Sequence, residues 1–344
     1  MLNFNNGEER LNKFSGSEKK TTILYEGTLY MLKYPGPIRS HKLRGMLSYK
    51  NNQFSEHIGS NIFRASGFKV QETVLGYFTD KSGKEKIVVG CKDFTQDGST
   101  LYEVSKLANQ AAVSSGKLDA TIENVVVIIG EIDMIKDKDA VLNSFWDMFV
   151  IDALIGNSDR HFGNWGVLEK DGDVSFSPIY DCGSSLGALL DDEEMKKLMA
   201  ADNLFKNKEF NVASCYSMDG KRIFYHGIFK NPPIALSEAI KRVTPRIDMA
   251  QIQSIVDSTP IISETRKEYL KKALNMRYEQ ILLPASKIVL REEQAKSPAQ
   301  NMDTKDTPKT KSTLMERLEE GKQKAREQRP LESNKQKLRR NHEI

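Results

Sequence analysis

The spacing of apolar residues changes near residue 100, and this change constrains the fold more than any other feature of the 344-residue chain. Before it, short apolar runs separated by Gly-containing turns are typical of β-strands. After it, apolar residues recur at helical spacing over long segments, which predicts α-helices. We therefore predict an α+β fold with a small strand-rich N-lobe and a larger helical C-lobe, joined near Lys92–Gly98.

The N-lobe is predicted to be a small sheet with one helix crossing it. The predicted helix places Ile58, Ile62 and Phe63 on one face. The predicted elements are strands at Thr21–Tyr25, Thr28–Tyr34, Val70–Phe78 and Lys86–Lys92, and the helix at Phe54–Ala65.

The C-lobe is predicted to contain several helices and one short hairpin. After the third helix, Gly156-Asn157 predicts a helix end. Three or four further helices are predicted between Asp191 and Leu283. The earlier elements are helices at Leu101–Val113, Thr121–Met134 and Ala140–Ile155, and hairpin strands at Trp165–Glu169 and Val174–Phe176.

The charge distribution divides the chain into a neutral body and a basic tail. The net charge is +4, and residues 291–344 hold 14 Lys/Arg against 10 Asp/Glu, whereas residues 1–290 hold 37 of each. The sequence thus predicts an N-lobe at 1–95, a C-lobe at 96–290 and a disordered tail at 291–344, which is poor in apolar residues. A neutral body gives no reason to expect a nucleic-acid partner.

Several sequence features predict a cytoplasmic protein. No apolar run approaches the roughly 18 residues that a membrane-spanning helix needs, and the first residues lack the apolar core of a secretory signal. Cys91, Cys182 and Cys215 are odd in number and widely spaced. This spacing argues against a disulfide framework and against a zinc site.

The most informative segment is Asn157–Asn164, with the sequence NSDRHFGN. Asp159 and Asn164 are separated by four residues, and Asp181 follows 17 positions after Asn164. Phosphoryl transfer from ATP needs Mg²⁺ on the phosphates and a carboxylate that orients the acceptor hydroxyl, and Mg²⁺ prefers oxygen ligands. Asp and Asn are also common in ordinary loops. The spacing alone is therefore not specific.

Two earlier features strengthen the prediction of phosphoryl transfer. Lys33 ends an apolar strand, where a lysine can hold phosphates, and Glu56 on the following helix is its candidate partner. Ser15, Gly16 and Ser17 form a short turn whose main-chain N–H groups suit phosphate. The order of a Gly/Ser loop, a strand Lys, a helix Glu and then D-x-x-x-x-N and Asp favours an ATP- and Mg²⁺-dependent kinase.

Four segments closely resemble the HipA-like serine/threonine kinases: FSEHIGSNIFRASGFKVQETVLG, KIVVGCKDF, FVIDALIGNSDRHFGNWG and SPIYDCGSSLG. The resemblance covers roughly residues 12–285. It implies a bilobal protein-kinase-like fold that uses ATP and Mg²⁺ and has a protein as substrate.

The resemblance also implies site residues. Asp159 would be the catalytic base, with His161 supporting its loop, and Asn164 and Asp181 would be the Mg²⁺ ligands. Lys33 would be the phosphate lysine. The main chain at Lys92, Asp93 and Phe94 would be the adenine hinge.

The chain departs from the toxin kinases of this family. Those kinases usually carry an extra domain before the small lobe, which contacts a DNA-binding antitoxin. Because Lys33 lies close to the first residue, we expect a compact stand-alone member without that domain. Autophosphorylation, if it occurs, is predicted at Ser15 or Ser17, where an added phosphate would compete with ATP.

Three alternatives remain open at this point. A kinase for a small molecule or a lipid headgroup shares the Asp, Asn, Asp pattern. A catalytically inactive kinase fold that serves as an interaction module is disfavoured because all the polar site positions are present. A metal-dependent hydrolase that uses Asp159, His161 and Asp181 lacks a tight His/Asp cluster in the sequence.

Overall fold

The computed structural model describes residues 1–11, 20–35, 51–110 and 119–296. All of them belong to one compact unit, Met1–Pro298. The predicted phosphate loop at Ser15, Gly16 and Ser17 lies outside the described residues, and so does the predicted tail from residue 297 onward.

The N-lobe contains a six-stranded sheet, counted over the described residues, with the strand order β1-β5-β6-β4-β3-β2. Strand β1 pairs in parallel with β5, and the other neighbours are antiparallel. The predicted strands are confirmed to within three residues at each end. The strands are β1 Leu2–Asn3, β2 Glu8–Arg10, β3 Lys20–Tyr25, β4 Thr28–Lys33, β5 Thr73–Thr79 and β6 Glu85–Lys92.

The two N-terminal strands were not predicted, because β1 has two residues and β2 is wholly polar. Phe4 lies between them and is fully buried in the core of the sheet. A Cβ atom on Gly76 or Gly90 would lie 2.5 or 2.4 Å from the Phe4 ring. The ring therefore packs directly on the main chain of β5 and β6, where only glycine leaves room for it.

Helix α1, Asn52–Ala65, joins the sheet to the C-lobe. It packs against β5 and β6 on the N-lobe side and against helices of the C-lobe. Ile58, Ile62 and Phe63 are fully buried, as the predicted helical face requires. The helix also buries Glu56 completely. A buried carboxylate needs a partner, which the candidate site supplies.

The C-lobe corrects the predicted helix at Leu101–Val113. Its first residues form strand β7, Thr100–Glu103, which pairs with β8, Gly166–Lys170, and β8 pairs with β9, Asp173–Phe176. A Cβ on Gly166 would lie 2.2 Å from the Tyr102 carbonyl oxygen. The main chains of β7 and β8 thus approach closely at this glycine. This contact between distant parts of the sequence makes the residues of β7 a strand, although their local pattern is helical.

The prediction of three or four helices between Asp191 and Leu283 is also wrong. That segment contains six helices and a hairpin of β10, Ala213–Met218, and β11, Lys221–Phe224. The hairpin turn is Asp219-Gly220, and both residues have positive φ, of 50° and 70°. Asp-Gly at a two-residue turn is a strong hairpin signal, and the sequence analysis overlooked it.

Helix α4, Lys138–Ile155, packs against α3, α8 and α10, and all its residues from Met148 to Ile155 are buried. Among the described residues, no helix is both long and apolar enough to cross a membrane. The three cysteines are free thiols, as predicted. The helices are α2 Val104–Gln110, α3 Ile122–Glu131, α4 Lys138–Ile155, α5 Asp192–Met199, α6 Asp202–Phe210, α7 Tyr225–Lys230, α8 Ile234–Val243, α9 Met249–Ser258, α10 Glu264–Arg277 and α11 Leu283–Lys296.

Candidate active site

Lys33, Glu56 and Asp181 form an ionic cluster where the two lobes meet, in which Lys33 and Glu56 are buried and the Asp181 side chain is 31% exposed. Lys33 ends β4, and its side chain is 4% exposed. Its Nζ atom lies 2.9 Å from Glu56 Oε2 and 2.9 Å from Asp181 Oδ1. The structure thus brings together three residues that are far apart in the sequence, including the predicted Lys33–Glu56 pair.

The charges in this cluster stabilise one another. Burial disfavours the Lys33 ammonium, but the carboxylates of Asp181 and Glu56 outweigh it and raise the pKa of Lys33 well above its usual value. Burial would raise the pKa of Asp181, but Lys33 outweighs that effect and lowers it. Both groups are therefore ionised at neutral pH. Because buried ion pairs contribute little net stability, the main effect of the cluster is to fix the positions of its three side chains.

Glu56 also fixes the main chain beside Asp181. Its Oε1 atom accepts a hydrogen bond from the N–H of Cys182 at 3.1 Å. Asp181 has a φ of +60°, which is uncommon for a residue with a side chain. The two oxygens of Glu56 thus hold the lysine and the strained Asp181 segment in a fixed relation.

Asp159 and Asn164 lie on the loop that follows α4. The Asn164 side-chain nitrogen donates to the Asp159 carbonyl oxygen at 2.7 Å, so Oδ1 is the Asn164 atom suited to a cation. The Asp159 carboxylate is partly buried and accepts from Ser184 Oγ at 3.3 Å. Burial raises the pKa of Asp159, and the Asp181 carboxylate raises it further, against the lowering effect of His161 and Ser184.

A buried arginine connects this loop to the Asp181 segment. Arg160 Nε lies 2.9 Å from Asp152 Oδ2, and Arg160 Nη2 lies 3.0 Å from Asp152 Oδ1. Arg160 Nη1 donates to the carbonyl oxygens of Asn164 and Tyr180. The pair of Asp152 and Arg160 was not predicted from the sequence. The signal was a lone carboxylate among apolar residues, eight positions before an arginine.

His161 contacts its own loop. Its side chain is exposed, and Nδ1 accepts from the Gly163 N–H at 3.0 Å. This contact shapes the turn between Asp159 and Asn164.

The predicted hinge borders the Asp181 segment from the N-lobe side. The N–H groups of Lys92 and Asp93 donate to the carbonyl oxygens of Glu72 and Leu29. The rings of Phe94 and Tyr180 lie 6.2 Å apart. Because two hinge N–H groups are bonded within the protein, an adenine contact would fall to Phe94 or to the carbonyl oxygens.

The residues fit a metal ion that arrives with a nucleotide. Within the described ranges, no group of three or more His, Cys, Asp or Glu side chains is arranged to hold a metal. Asn164 and Asp181 offer hard oxygen atoms, and Mg²⁺ usually takes only one or two ligands from a protein and the rest from phosphates and water. This donor set disfavours the metal-dependent hydrolase.

Comparison with known proteins agrees with this geometry. Residues 13–250 match the family of HipA-like C-terminal domains. The chain is 37% identical over 308 residues to the serine/threonine-protein kinase CtkA of Helicobacter pylori strain J99, which covers 85% of this chain and 91% of that protein.

Solved structures give the same result at the level of the fold. The crystal structure of the H. pylori proinflammatory kinase CtkA matches with a TM-score of 0.75 and 33% identity, over 84% of this chain and 98% of that chain. HipA of Shewanella oneidensis MR-1, solved with HipB and operator DNA, matches with a TM-score of 0.50 over 82% of this chain and 68% of that chain. At 14% identity the second match shows a shared fold alone.

Proposed function

The chain belongs to the HipA-like kinases and is a serine/threonine-protein kinase, and from this premise we propose that it transfers the γ-phosphoryl group of Mg²⁺-bound ATP to hydroxyl groups of a protein substrate. One observation carries the proposal. Lys33 is ion-paired to both Glu56 and Asp181 beside the loop that holds Asp159 and Asn164. Such a constellation serves to position phosphates and stabilise their charge.

On the nucleotide side, Lys33 would bind phosphate oxygens as a fixed ammonium. It bonds Asp181 through Oδ1, so Oδ2 of Asp181 and Oδ1 of Asn164 would hold Mg²⁺, which neutralises charge on the phosphates. Main-chain groups at Lys92, Asp93 and Phe94 would contact adenine. Ser15, Gly16 and Ser17 would complete the phosphate contacts.

On the acceptor side, Asp159 would orient the hydroxyl and accept its proton. The pKa of Asp159 is raised and that of Asp181 is lowered. Opposite shifts in neighbouring carboxylates are typical of separate roles. A more basic carboxylate is also the better proton acceptor, provided that it stays ionised at the working pH. His161 would keep the loop in shape through Gly163.

The organisation and location of the chain are part of the same proposal. We place the N-lobe at 1–95 and the C-lobe after it, in a cytoplasmic protein. The predicted tail boundary at 291 is too early, because α11 continues to Lys296 and belongs to the C-lobe. The end of β6 at Lys92 supports the first boundary.

Mass spectrometry tests the proposal. The purified chain is incubated with ATP, Mg²⁺ and a dephosphorylated cell extract, with Asp159→Asn protein as the control. We expect new phosphoserine or phosphothreonine sites that the variant does not produce.

Two other results would replace the proposal. Transfer of phosphate to small hydroxyl compounds alone would identify a small-molecule or lipid-headgroup kinase. Nucleotide binding without any transfer would identify an inactive kinase fold.

A further inference from the structure

A cavity of about 600 Å³ lies in the C-lobe beside the loop that carries Asp159. One wall comes from Gly156 and Ser158, at the start of that loop, and a second wall comes from Ser184–Leu190, which follows Asp181. Helices α5 and α6 and Val212 complete it. Its volume is in the range of cavities that bind ligands.

Asp159 does not line the cavity itself, but two lining residues, Ser158 and Ser184, adjoin it. Ser158 precedes Asp159, and its N–H donates to the Ser184 carbonyl oxygen at 3.4 Å. Ser184 Oγ in turn donates to Asp159 Oδ2 at 3.3 Å. The lining residues do not include Lys33 or Asp181. The connection between the cavity and the candidate site runs through Ser158 and Ser184 to Asp159, on the acceptor side.

The charged groups in the cavity wall already bond one another. Arg277 donates from Nε to the Glu209 carbonyl oxygen and from Nη1 to the Leu154 carbonyl oxygen, at 3.1 and 3.0 Å. Arg277 Nη2 pairs with the Glu209 carboxylate, which also accepts from the Tyr269 hydroxyl. This part of the wall therefore consists of an ion pair with no net charge, whose hydrogen bonds are already formed within the protein.

The uncharged polar side chains of the wall are also bonded within the protein. Asn211 donates to Asn207 at 2.7 Å, and Ser185 donates to the Cys182 carbonyl oxygen at 2.7 Å. A sugar or a phosphorylated headgroup needs several polar partners, since unpaired polar groups are costly to bury. This wall offers an exposed Lys208 and otherwise side chains that are already bonded.

The remaining wall is apolar, and part of it faces solvent. Leu204 lines the cavity and is 52% exposed, whereas the next residue of the same helix, Phe205, is buried. The apolar lining residues are Ala188, Leu189, Leu190, Leu198, Leu204 and Val212.

We infer that this cavity is a specificity pocket for the protein substrate, and that it takes an apolar side chain of leucine or phenylalanine size one or two positions from the phosphorylated Ser or Thr. The inference rests on the proposed function, because it needs a polypeptide acceptor at Asp159. The pocket adjoins Asp159 through Ser158 and Ser184, one part of its wall is apolar, and it is large enough for such a side chain together with its main chain.

The test is a peptide-array kinase assay. Each peptide carries one Ser or Thr, and each neighbouring position is varied in turn. We expect wild-type kcat/KM to fall about tenfold or more when the preferred apolar residue is replaced by Ala, since even one methylene in an apolar pocket changes it that much. Leu204→Glu should abolish this preference and favour Lys at the same position.

Leu290→Glu is the matched control. Leu290 is 46% exposed on α11 and does not line the cavity, so this variant should keep the wild-type preference. The gain of activity on Lys-containing peptides separates a changed pocket from general damage. ATP affinity should be the same in all three proteins.

The outcomes distinguish a failure of the pocket inference from a failure of the kinase proposal. If wild-type protein phosphorylates peptides without an apolar preference, or if Leu204→Glu keeps that preference, the pocket inference is wrong and the kinase proposal stands. Loss of ATP affinity in Leu204→Glu would also overturn the pocket. If wild-type protein phosphorylates no peptide or protein and labels a small hydroxyl compound instead, both proposals are wrong.

Discussion

Asp159 and Asp181 are neighbouring carboxylates with opposite surroundings. Asp181 is ion-paired to Lys33, and its pKa is lowered. Asp159 bonds a hydroxyl group, and its pKa is raised, first by burial. This difference leads to a separation of roles that mutants can test.

We expect Asp159→Asn to bind Mg²⁺-ATP within a few fold of wild type and to lose about 10²–10⁴ in turnover, the usual contribution of a general base. The amide keeps the shape of the loop but does not accept a proton. Asp181→Ala should weaken nucleotide binding and abolish turnover, because it removes the partner of Lys33 and the proposed cation ligand. Calorimetric titration and a turnover assay measure the two effects.

An equal loss of nucleotide affinity in both mutants would make Asp159 a metal ligand or a structural residue. Full activity of Asp159→Asn would contradict the mechanism assigned to it.

Two aspartates of α4 are each paired with an arginine from elsewhere in the chain, and these two pairs allow a second prediction. Asp152 and Arg160 are completely buried, whereas Asp147 and Arg242 are partly exposed. Arg160→Ala should lower the free energy of unfolding by about 3–5 kcal/mol, since it leaves the buried Asp152 carboxylate without an opposite charge. Arg242→Ala should cost about 1 kcal/mol or less.

Urea unfolding of both variants, with wild type as the reference, measures these costs. Similar values for the two variants would show that Asp152 finds another partner or takes up a proton.

At the scale of elements, α1 carries His57 directly after Glu56, and the protonation of His57 depends on pH. His57 lies between Thr73, 3.1 Å away, and Asn61. Burial chiefly lowers the pKa of His57 to about 4. The folded chain therefore keeps His57 neutral at pH values where the unfolded chain binds a proton.

The sign of the pH dependence follows from this difference. Stability from neutral His57 is present above pH 6.5, the ordinary value, and is lost as the pH falls towards about 4. The loss amounts to at most about 3 kcal/mol, because a tenfold change in proton affinity corresponds to about 1.4 kcal/mol. His57→Gln should flatten the dependence of the melting temperature on pH in this range.

The exposed His161 supplies the control for this experiment, as His161→Gln. If His57→Gln melts with the same pH dependence as wild type, His57 does not control the acid sensitivity of the fold.

Sequence patterns predicted the elements whose formation depends on residues that are close together in the chain. The strands β3–β6, the helices α1 and α4 and the hairpin β8–β9 follow from apolar spacing and turn residues. Strand β7 was mistaken for the start of a helix because its pairing with β8 is a long-range contact. In the site, NSDRHFGN indicated Asp159 and Asn164, but no local rule pairs Lys33 with Asp181 across 148 positions.

At the scale of the whole molecule, α11 closes the C-lobe. Ala285 and Val289 are buried, and α11 packs against α8. Lys241 on α8 also lies 3.1 Å from Glu293. The last part of this helix is therefore a structural element of the C-lobe.

A chain that ends at Ser286 should melt several degrees below a chain that ends at Lys296. Removing buried Val289 alone costs on the order of 1.5–3 kcal/mol of apolar burial. Calorimetry of the two truncated chains measures the difference, and Leu290→Ala in the longer chain is a control for exposed apolar surface. Equal melting temperatures would mean that α11 contributes nothing beyond Ser286.

The place of Phe4 in the sheet also affects the order of events during synthesis. Phe4 packs on Gly76 and Gly90, and β1 pairs with β5. At about 5–20 residues per second, a ribosome needs several seconds to reach β6 after making Phe4. The sheet of the N-lobe can therefore form only after that delay, when β6 has left the ribosome. Pairing of strands that are distant in the sequence is a slow step of folding, and it begins at that point.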